Sequence, residues 1–236
     1  MTGDAYERSI DWEEYWRTAD DGDRIDAGPS AAYVLDALRE FLDERPPASY
    51  ADVGCGPGDV VFDVAERSPD ATVVGYDAAE PVLAENRERA ATADLENVRF
   101  ERAVLPSFDP GREFDVVSAF YTLCYVADVE CALENLYDAV APGGALVFTY
   151  HNRLARSQFR TVAEAPDEHL EESSPFDPER YAERFELVIE GENLLSYERI
   201  HDVLGTWPQS VWSVAESAER YPAWRHNPLV YVPEDK

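Results

Sequence analysis

The sequence predicts an α/β fold in which a doubly wound, mostly parallel sheet carries helices on both faces. Between residues 50 and 150, short apolar runs rich in β-branched residues alternate with segments of helical periodicity, as in parallel strands joined by helices. Residues 50–59, YADVGCGPGD, read as a buried strand, a turn with three glycines and the start of a helix. This order builds a nucleotide cradle, because glycines let the main chain approach a ligand closely.

The N-terminal part predicts two helices. Trp12, Tyr15 and Trp16 fall at i, i+3 and i+4, so they share a helix face that either packs on the domain or closes over the ligand as a lid. Helical spacing recurs over 33–42, where Ser30 is the expected N-cap and a proline pair ends the helix.

The central part predicts five strands, each a short run of β-branched and aromatic residues. The strands are 50–53, 72–76, 97–101, 114–120 and 145–150, and the helices between them are 59–67, 78–93 and 129–140. The tripeptide PGG at 142–144 is expected to end the last of these helices.

The pattern is looser after residue 150. It predicts helices at 154–163, 179–184, 197–204 and 211–220, an acidic loop at 166–178, and strands at 186–189 and 229–232. No internal repeat, low-complexity linker or second domain is indicated.

The charge is strongly acidic, with 49 Asp and Glu against 20 Lys and Arg and a formal net charge of −29. Lys236 is the one lysine. Self-repulsion of this size destabilises a compact state unless salt screens it, so the composition favours the cytoplasm of an extreme halophile over a dedicated cationic partner. With no basic stripe to neutralise phosphates, nucleic acid is not expected as a substrate.

Other function classes are also disfavoured. No apolar run reaches the roughly 18 residues of a membrane span, and residues 1–7 do not look like a secretory signal, so no membrane contact is expected. The three cysteines, Cys55, Cys124 and Cys131, include no CxxC pair, which supports neither a disulfide framework nor a metal site.

The glycine turn has the spacing Gly54-x-Gly56-x-Gly58, which differs from the GxGxxG of dinucleotide sites. Asp52 lies just before it. A carboxylate there suits a ligand end with a positive charge and suits a diphosphate poorly. The alternative is an ordinary glycine turn between a strand and a helix.

Asp77 ends the second predicted strand, nineteen residues after Gly58. A carboxylate at that strand end accepts both hydroxyls of a ribose in doubly wound folds, so Asp77 is predicted to bind one.

These motifs together resemble the class I S-adenosylmethionine-dependent methyltransferases. The resemblance is carried by DVGCGPG at 52–58, Asp77, FDVV at 114–117 and APGG at 141–144, and it covers about 33–150. It implies a Rossmann-like, seven-stranded sheet with one antiparallel edge strand. It also implies S-adenosylmethionine across the carboxyl ends of strands one, two and four. We expect a single domain with an N-terminal helical lid or helix (1–48), a cofactor-binding core (49–150) and C-terminal strands with a helical insertion (151–236).

The resemblance also implies roles for individual residues. The residues expected to bind the methionine end of the cofactor are Asp52, Gly54, Gly56 and Gly58. Asp77 is expected to bind the ribose and Ala78 to contact the adenine. Phe120 and Tyr121 are expected to line the methyl side. The family usually carries an acidic residue for the adenine amino group after the third strand. Here Ala103 and Val104 take that place, and Glu101 would substitute only if the strand slipped.

Catalysis of methyl transfer requires alignment and exclusion of water, and a base only where the nucleophile must lose a proton. Tyr121 is predicted to orient the nucleophile or contact the methyl group. His151, after the fifth strand, is predicted as a base, with a capping or surface histidine as the alternative.

Aromatic residues within 193–228, with those near the N-terminus, are expected to close an apolar pocket for a small-molecule acceptor, to form a satellite core, or to form a homodimer interface. Two other functions remain open. A non-catalytic S-adenosylmethionine-binding protein would keep the same pocket, and a nicotinamide-dependent oxidoreductase is disfavoured by the glycine spacing.

Overall fold

The computed structural model describes residues 10–19, 33–170, 174, 176–215 and 225–234. The predicted cap Ser30, the end of the predicted helix 211–220, and Tyr221 and Trp224 of the aromatic segment lie outside these ranges. None of the helices within them has the length and apolar character that crossing a membrane requires.

The sheet has seven strands in the order β3-β2-β1-β4-β5-β7-β6. They are β1 (Ser49–Val53), β2 (Thr72–Asp77), β3 (Val98–Arg102), β4 (Phe114–Ala119), β5 (Val140–Thr149), β6 (Gln209–Ser210) and β7 (Leu229–Pro233). Four neighbouring pairs, β1–β2, β1–β4, β2–β3 and β4–β5, are parallel, while β7 runs antiparallel to β5 and β6. The predicted fold class is confirmed, but the reversed strand lies one position inside the edge.

The helices of the described ranges alternate with the strands of the central part. They are α1 (Trp12–Thr18), α2 (Leu35–Glu44), α3 (Asp59–Arg67), α4 (Glu80–Thr92), α5 (Val129–Asp138), α6 (Arg153–Glu164), α7 (Pro166–His169), α8 (Tyr181–Arg184), α9 (Glu186–Glu190) and α10 (Tyr197–Leu204). Single 3-10 turns lie at Leu123–Tyr125 and Val211–Ser213.

Two apolar cores lie on opposite faces of the sheet, because successive strand residues point to opposite sides. Along β2, Val73 packs in the core with α2 and α3, whereas Val74 packs in the core with α5. The central strands are buried on both faces, which explains their continuous apolar runs.

The predicted strand at 186–189 is wrong, because these residues form helix α9. Leu187 and Val188 are both buried, and a short apolar run with two buried neighbours fits either a strand or a buried helix. Gly191, at φ +82°, ends the helix in the left-handed conformation.

The PGG tripeptide at 142–144 does not end a helix. Helix α5 ends at Asp138, and the tripeptide lies inside β5, where the pairing with β4 shifts register between Phe114 and Val116. A Cβ at Gly144 would overlap the carbonyl oxygen of Asp115, so the close approach of two main chains requires glycine here.

Three smaller differences lie in the C-terminal part. The predicted loop 166–178 contains the short helix α7, and the described start of the predicted helix at 211 is one 3-10 turn. The two-residue strand β6 was not predicted, because it is too short for periodicity to reveal.

Candidate functional site

The glycine turn joins β1 to α3 at the carboxyl edge of the sheet, beside the point where strand order reverses between β1 and β4. Gly54, Gly56 and Gly58 have φ values of +80°, +48° and +81°. The amides of Gly54 and Cys55 both donate to the carbonyl oxygen of Tyr76, at 2.7 and 2.9 Å. The turn is therefore fixed to the end of β2.

Gly54 also meets the segment that follows β4. A Cβ at this position would overlap the side chain of Thr122. Both the positive φ and this close approach therefore require glycine.

Asp52 lies on β1 just before the turn and is 3% exposed. The Ser118 hydroxyl donates to its Oδ1 at 2.7 Å, and the Tyr50 hydroxyl lies 2.6 Å from Ser118 Oγ. Burial raises the pKa of Asp52 to about 7, with a further increase from the charge of Asp77, while the Ser118 hydrogen bond opposes the rise. Among the described residues no cation pairs with Asp52, so its charged form would be stabilised by a cationic ligand.

Asp77 shapes the glycine turn directly. Its Oδ2 accepts from the amide of Gly56 at 2.9 Å and its Oδ1 from the amide of Ala79 at 3.0 Å. The side chain is buried, which raises its pKa, and the main-chain hydrogen bonds counteract the shift. Each carboxylate oxygen keeps one further lone pair for another donor.

The predicted adenine residues lie beside this strand end. The amide of Ala103 donates to the carbonyl oxygen of Asp77 at 2.9 Å, and Arg102 Nε donates to the carbonyl oxygen of Ala78, also at 2.9 Å. Ala103 and Val104 are half-buried. Glu101 is exposed and pairs in register with Tyr76, so the strand has not slipped to bring it to the site.

Phe120 and Tyr121 follow β4 at the same edge. Phe120 is buried, and Tyr121 is half-buried with a left-handed φ of +56°. The amide of Tyr121 donates to Thr149 Oγ1 at 2.8 Å, which ties this turn to the end of β5. A non-glycine residue in this conformation is uncommon and marks a constrained position.

His151 is buried, with its ring 5.0 Å from that of Phe159. Burial lowers its pKa to about 4, with a smaller contribution from His226. It is therefore neutral at pH 7 and a weak base. The structure places its ring against Phe159 of α6.

Helix α1 lies against the glycine turn. Trp16 is 2% exposed and packs with Ala79 and Val82, and a Cβ at Gly56 would lie 3.4 Å from its ring. The predicted helix face with Trp12 and Tyr15 is therefore observed, and it covers the loop.

Several polar residues that support the site were missed by the sequence analysis. Asn86, buried on α4, donates through Nδ2 to the carbonyl oxygen of Gly56 at 2.8 Å. Ser118 donates to Asp52, Thr149 accepts from the Tyr121 amide, and Thr122 packs where a Cβ at Gly54 would lie. The sequence signal that could have revealed such residues is a polar residue within an otherwise apolar segment, because a buried polar side chain requires a hydrogen-bond partner.

A family model described as "Methyltransferase domain" matches residues 46–201, which include the glycine turn, Asp77 and the ends of β4 and β5. The chain belongs to this family.

Curated relatives match over shorter segments. A demethylmenaquinone methyltransferase of Thermus thermophilus is 42% identical over 105 residues, 44% of this chain and 47% of the relative. A trans-aconitate 2-methyltransferase of Deinococcus radiodurans is 34% identical over 109 residues, 46% of this chain and 40% of the relative. The chain thus spans about half the length, or less, of the curated relatives it matches.

Solved structures extend the likeness to nearly the whole chain, at the level of the fold alone. The plantazolicin methyltransferase BpumL matches with a TM-score of 0.61 and 11% identity over 98% of this chain and 96% of its own. The magnesium protoporphyrin IX methyltransferase of Synechocystis matches with a TM-score of 0.60 and 13% identity over 97% and 94%.

Proposed function

We propose that this protein is an S-adenosylmethionine-dependent methyltransferase that acts on a small organic acceptor. Asp52 carries the proposal, because it is a carboxylate at the glycine turn whose burial raises its pKa to about 7, so a cationic ligand would stabilise its charged form. The ammonium group at the methionine end of the cofactor would supply that cation. A diphosphate in the same place would be repelled, which argues against a dinucleotide.

The remaining donors and acceptors fit the same ligand. The positive φ values of Gly54, Gly56 and Gly58 give the turn a tight path, along which the methionine end would lie. Asp77 is committed to two amides but keeps a lone pair on each oxygen for the ribose hydroxyls. Ala78, Ala103 and Val104 would flank the adenine through their main chain and methyl groups.

The chain's own contribution to catalysis would be positioning. When bound, the cofactor would supply a methyl group on a sulfonium, and in-line transfer of that methyl to an aligned nucleophile would leave the neutral thioether as the leaving group. Phe120 and Tyr121 would line the methyl side, and the Thr149 bond to the Tyr121 amide fixes that turn. His151 remains a proposed base, and its pKa of about 4 restricts it to acceptors whose reacting group loses its proton readily.

Within the N-terminal segment 1–48, helix α1 would serve as a lid over the glycine turn. Trp16 already packs on Gly56, so this helix would exclude water from the methionine end. Residues 151–236 would then contribute the acceptor side. This layout is supported by the position of α1 between the glycine turn and the aromatic rings of Tyr125 and Phe185.

The proposals of a small-molecule acceptor and of a high-salt cytoplasm have less direct support than the proposal of the cofactor. Demethylmenaquinone and trans-aconitate, named for two relatives, are small organic molecules. The net charge of −29 supports a halophile's cytoplasm at molar salt and makes nucleic acid an unsuitable partner. Thermal unfolding should therefore shift to higher temperature between about 0.1 M and 1 M KCl, where the Debye length falls from about 10 to 3 Å.

The direct test is transfer of a labelled methyl group from S-adenosylmethionine to a panel of small acids, phenols, quinols and amines at molar KCl. Product formation by the wild type, reduced in Asp52→Asn, would support the enzyme. Binding of S-adenosylmethionine without any product would favour the non-catalytic binding protein.

A further inference from the structure

Arg184 is a half-buried cation inside a group of aromatic rings at the end of α8. Its guanidinium carbon lies between 5.2 and 5.9 Å from the centroids of five rings. These rings belong to Trp12, Tyr15, Tyr125, Phe176 and Phe185. Such rings stabilise a cation through their faces but accept none of its hydrogen bonds in the guanidinium plane.

The described residues use little of the hydrogen-bonding capacity of Arg184. Within the described part of the chain its Nε donates to the Tyr125 hydroxyl at 3.2 Å, and no carboxylate forms an ion pair with it. A guanidinium has five N–H donors, so the two Nη nitrogens remain available for a planar, two-oxygen partner. Arg180 provides a contrast, because it is exposed and lies 3.5 Å from the Glu183 carboxylate.

The lack of a carboxylate partner contrasts with the composition, since acidic residues outnumber basic ones by 49 to 20. Arginines elsewhere on the described surface pair readily, as Arg39 does with Asp63 and Arg67 with Asp43. The aromatic rings therefore separate Arg184 from the carboxylates of the described residues while leaving its charge in place.

The rings around Arg184 connect it to the elements of the candidate site. Trp12 and Tyr15 are on α1, whose Trp16 packs on Gly56. Tyr125 lies in the 3-10 turn that follows β4, and its ring is 4.8 Å from that of Trp12. Phe185 contacts Phe159, and Phe159 contacts His151 after β5.

We propose that Arg184 binds a carboxylate of the acceptor, with the surrounding rings covering the acceptor's apolar body. This inference rests on the proposed function and names its substrate class as carboxylic acids. Two parallel N–H···O bonds from the Nη nitrogens match the geometry of a carboxylate, and exclusion of water by the rings strengthens them. The cofactor's own methionine carboxylate is the other source of the same chemistry, and the experiment separates the two.

The test uses calorimetry at constant molar KCl on four proteins: wild type, Arg184→Gln, Arg184→Lys and the matched control Arg180→Gln. S-adenosylhomocysteine is titrated first. Cinnamate and trans-aconitate, each beside its primary amide, are then titrated into the protein saturated with S-adenosylhomocysteine. Failure of S-adenosylhomocysteine to bind the wild type would contradict the proposed function itself.

We expect at least one acid to bind wild type and Arg180→Gln about tenfold or more tightly than its amide. In Arg184→Gln this preference should fall below about twofold with unchanged S-adenosylhomocysteine affinity, and Arg184→Lys should keep part of it because a lysine remains charged. Equal binding of acids and amides by the wild type, or no binding of either, would overturn the inference. So would a tenfold loss of S-adenosylhomocysteine affinity in Arg184→Gln with the acid preference intact, since Arg184 would then bind the cofactor's carboxylate. Arg184→Lys gives the same comparison if Arg184→Gln does not fold.

Discussion

On the glycine-turn side of the site, the buried carboxylates are held by directional hydrogen bonds, whereas on the aromatic side Arg184 is held by ring faces. Asp77 accepts from two main-chain amides, and Asp52 accepts from the Ser118 hydroxyl. Arg184 has one hydrogen bond, to Tyr125, among the described residues, and five rings around it.

The difference indicates how each side would recognise its ligand. Hydrogen bonds weaken steeply with angle, so the glycine turn offers one fixed arrangement suited to an invariant cofactor. A cation over aromatic faces tolerates small shifts in position, and the surrounding rings provide an apolar surface that accepts acceptors of different shape. Three substitutions on the glycine-turn side measure how much that fixed arrangement contributes.

The largest effect is expected for Asp77→Ala. This change removes the proposed ribose contact and also the partners of the Gly56 and Ala79 amides, so S-adenosylhomocysteine binding should weaken by about 3 kcal/mol or more, on the order of 100-fold. Calorimetric titration measures it. Asp70→Ala, at an exposed position before β2, makes the same change in charge and should bind like the wild type. Equal affinities for both variants would refute the role of Asp77.

Gly54→Ala is expected to lower the free energy of unfolding by about 2–4 kcal/mol, because it combines a left-handed φ with overlap of the Thr122 side chain. Gly143→Ala is the matched control, since its φ is +81° and a Cβ there meets nothing within 4 Å. It should show only the conformational cost of about 1–2 kcal/mol. Denaturant unfolding at molar KCl compares the two, and equal losses would show that the contact with Thr122 contributes nothing.

Asp52→Asn is expected to weaken S-adenosylhomocysteine binding by about 1.5–3 kcal/mol through loss of one charge-assisted contact. The same substitution is expected to raise the free energy of unfolding, although it weakens binding. The folded pKa of about 7 lies above the ordinary value of 3.8, so the folded wild type binds more protons and loses stability as pH rises from about 4 to 7. The variant removes this penalty, so its gain in the free energy of unfolding should be larger at pH 8 than at pH 5. A gain independent of pH would contradict the assignment of this pKa to Asp52.

The sequence predicted the glycine-turn side well, because one short continuous stretch encodes it. The strand, the three left-handed glycines and the helix of residues 50–67 are all local features, and Asp77 follows at the end of the next strand. The sequence did not reveal that Asp77 binds the Gly56 amide or that Asn86 binds the Gly56 carbonyl, since these bonds join residues 21 and 30 positions apart.

The aromatic side was harder to predict for a physical reason. The rings around Arg184 come from α1, the turn after β4 and the segment before α9, and no spacing along the chain brings such segments together. In the same region, the strand predicted at 186–189 is a helix in the structure. Two adjacent buried residues, Leu187 and Val188, are compatible with either element. Local pattern therefore determines the glycine-turn side, and tertiary packing determines the aromatic side.

Asp52 is proposed to bind the ammonium group of the cofactor, and proton linkage tests this proposal most directly. S-adenosylhomocysteine and S-adenosylmethionine are titrated at pH 7 and molar KCl in two buffers of different ionisation enthalpy, with NAD as the control. A pKa of about 7 leaves Asp52 half protonated, so binding should release about half a proton per site, and affinity should rise from pH 5 to pH 8. Asp52→Asn should abolish the release. Binding without proton release, or tight binding of NAD alone, would contradict the account.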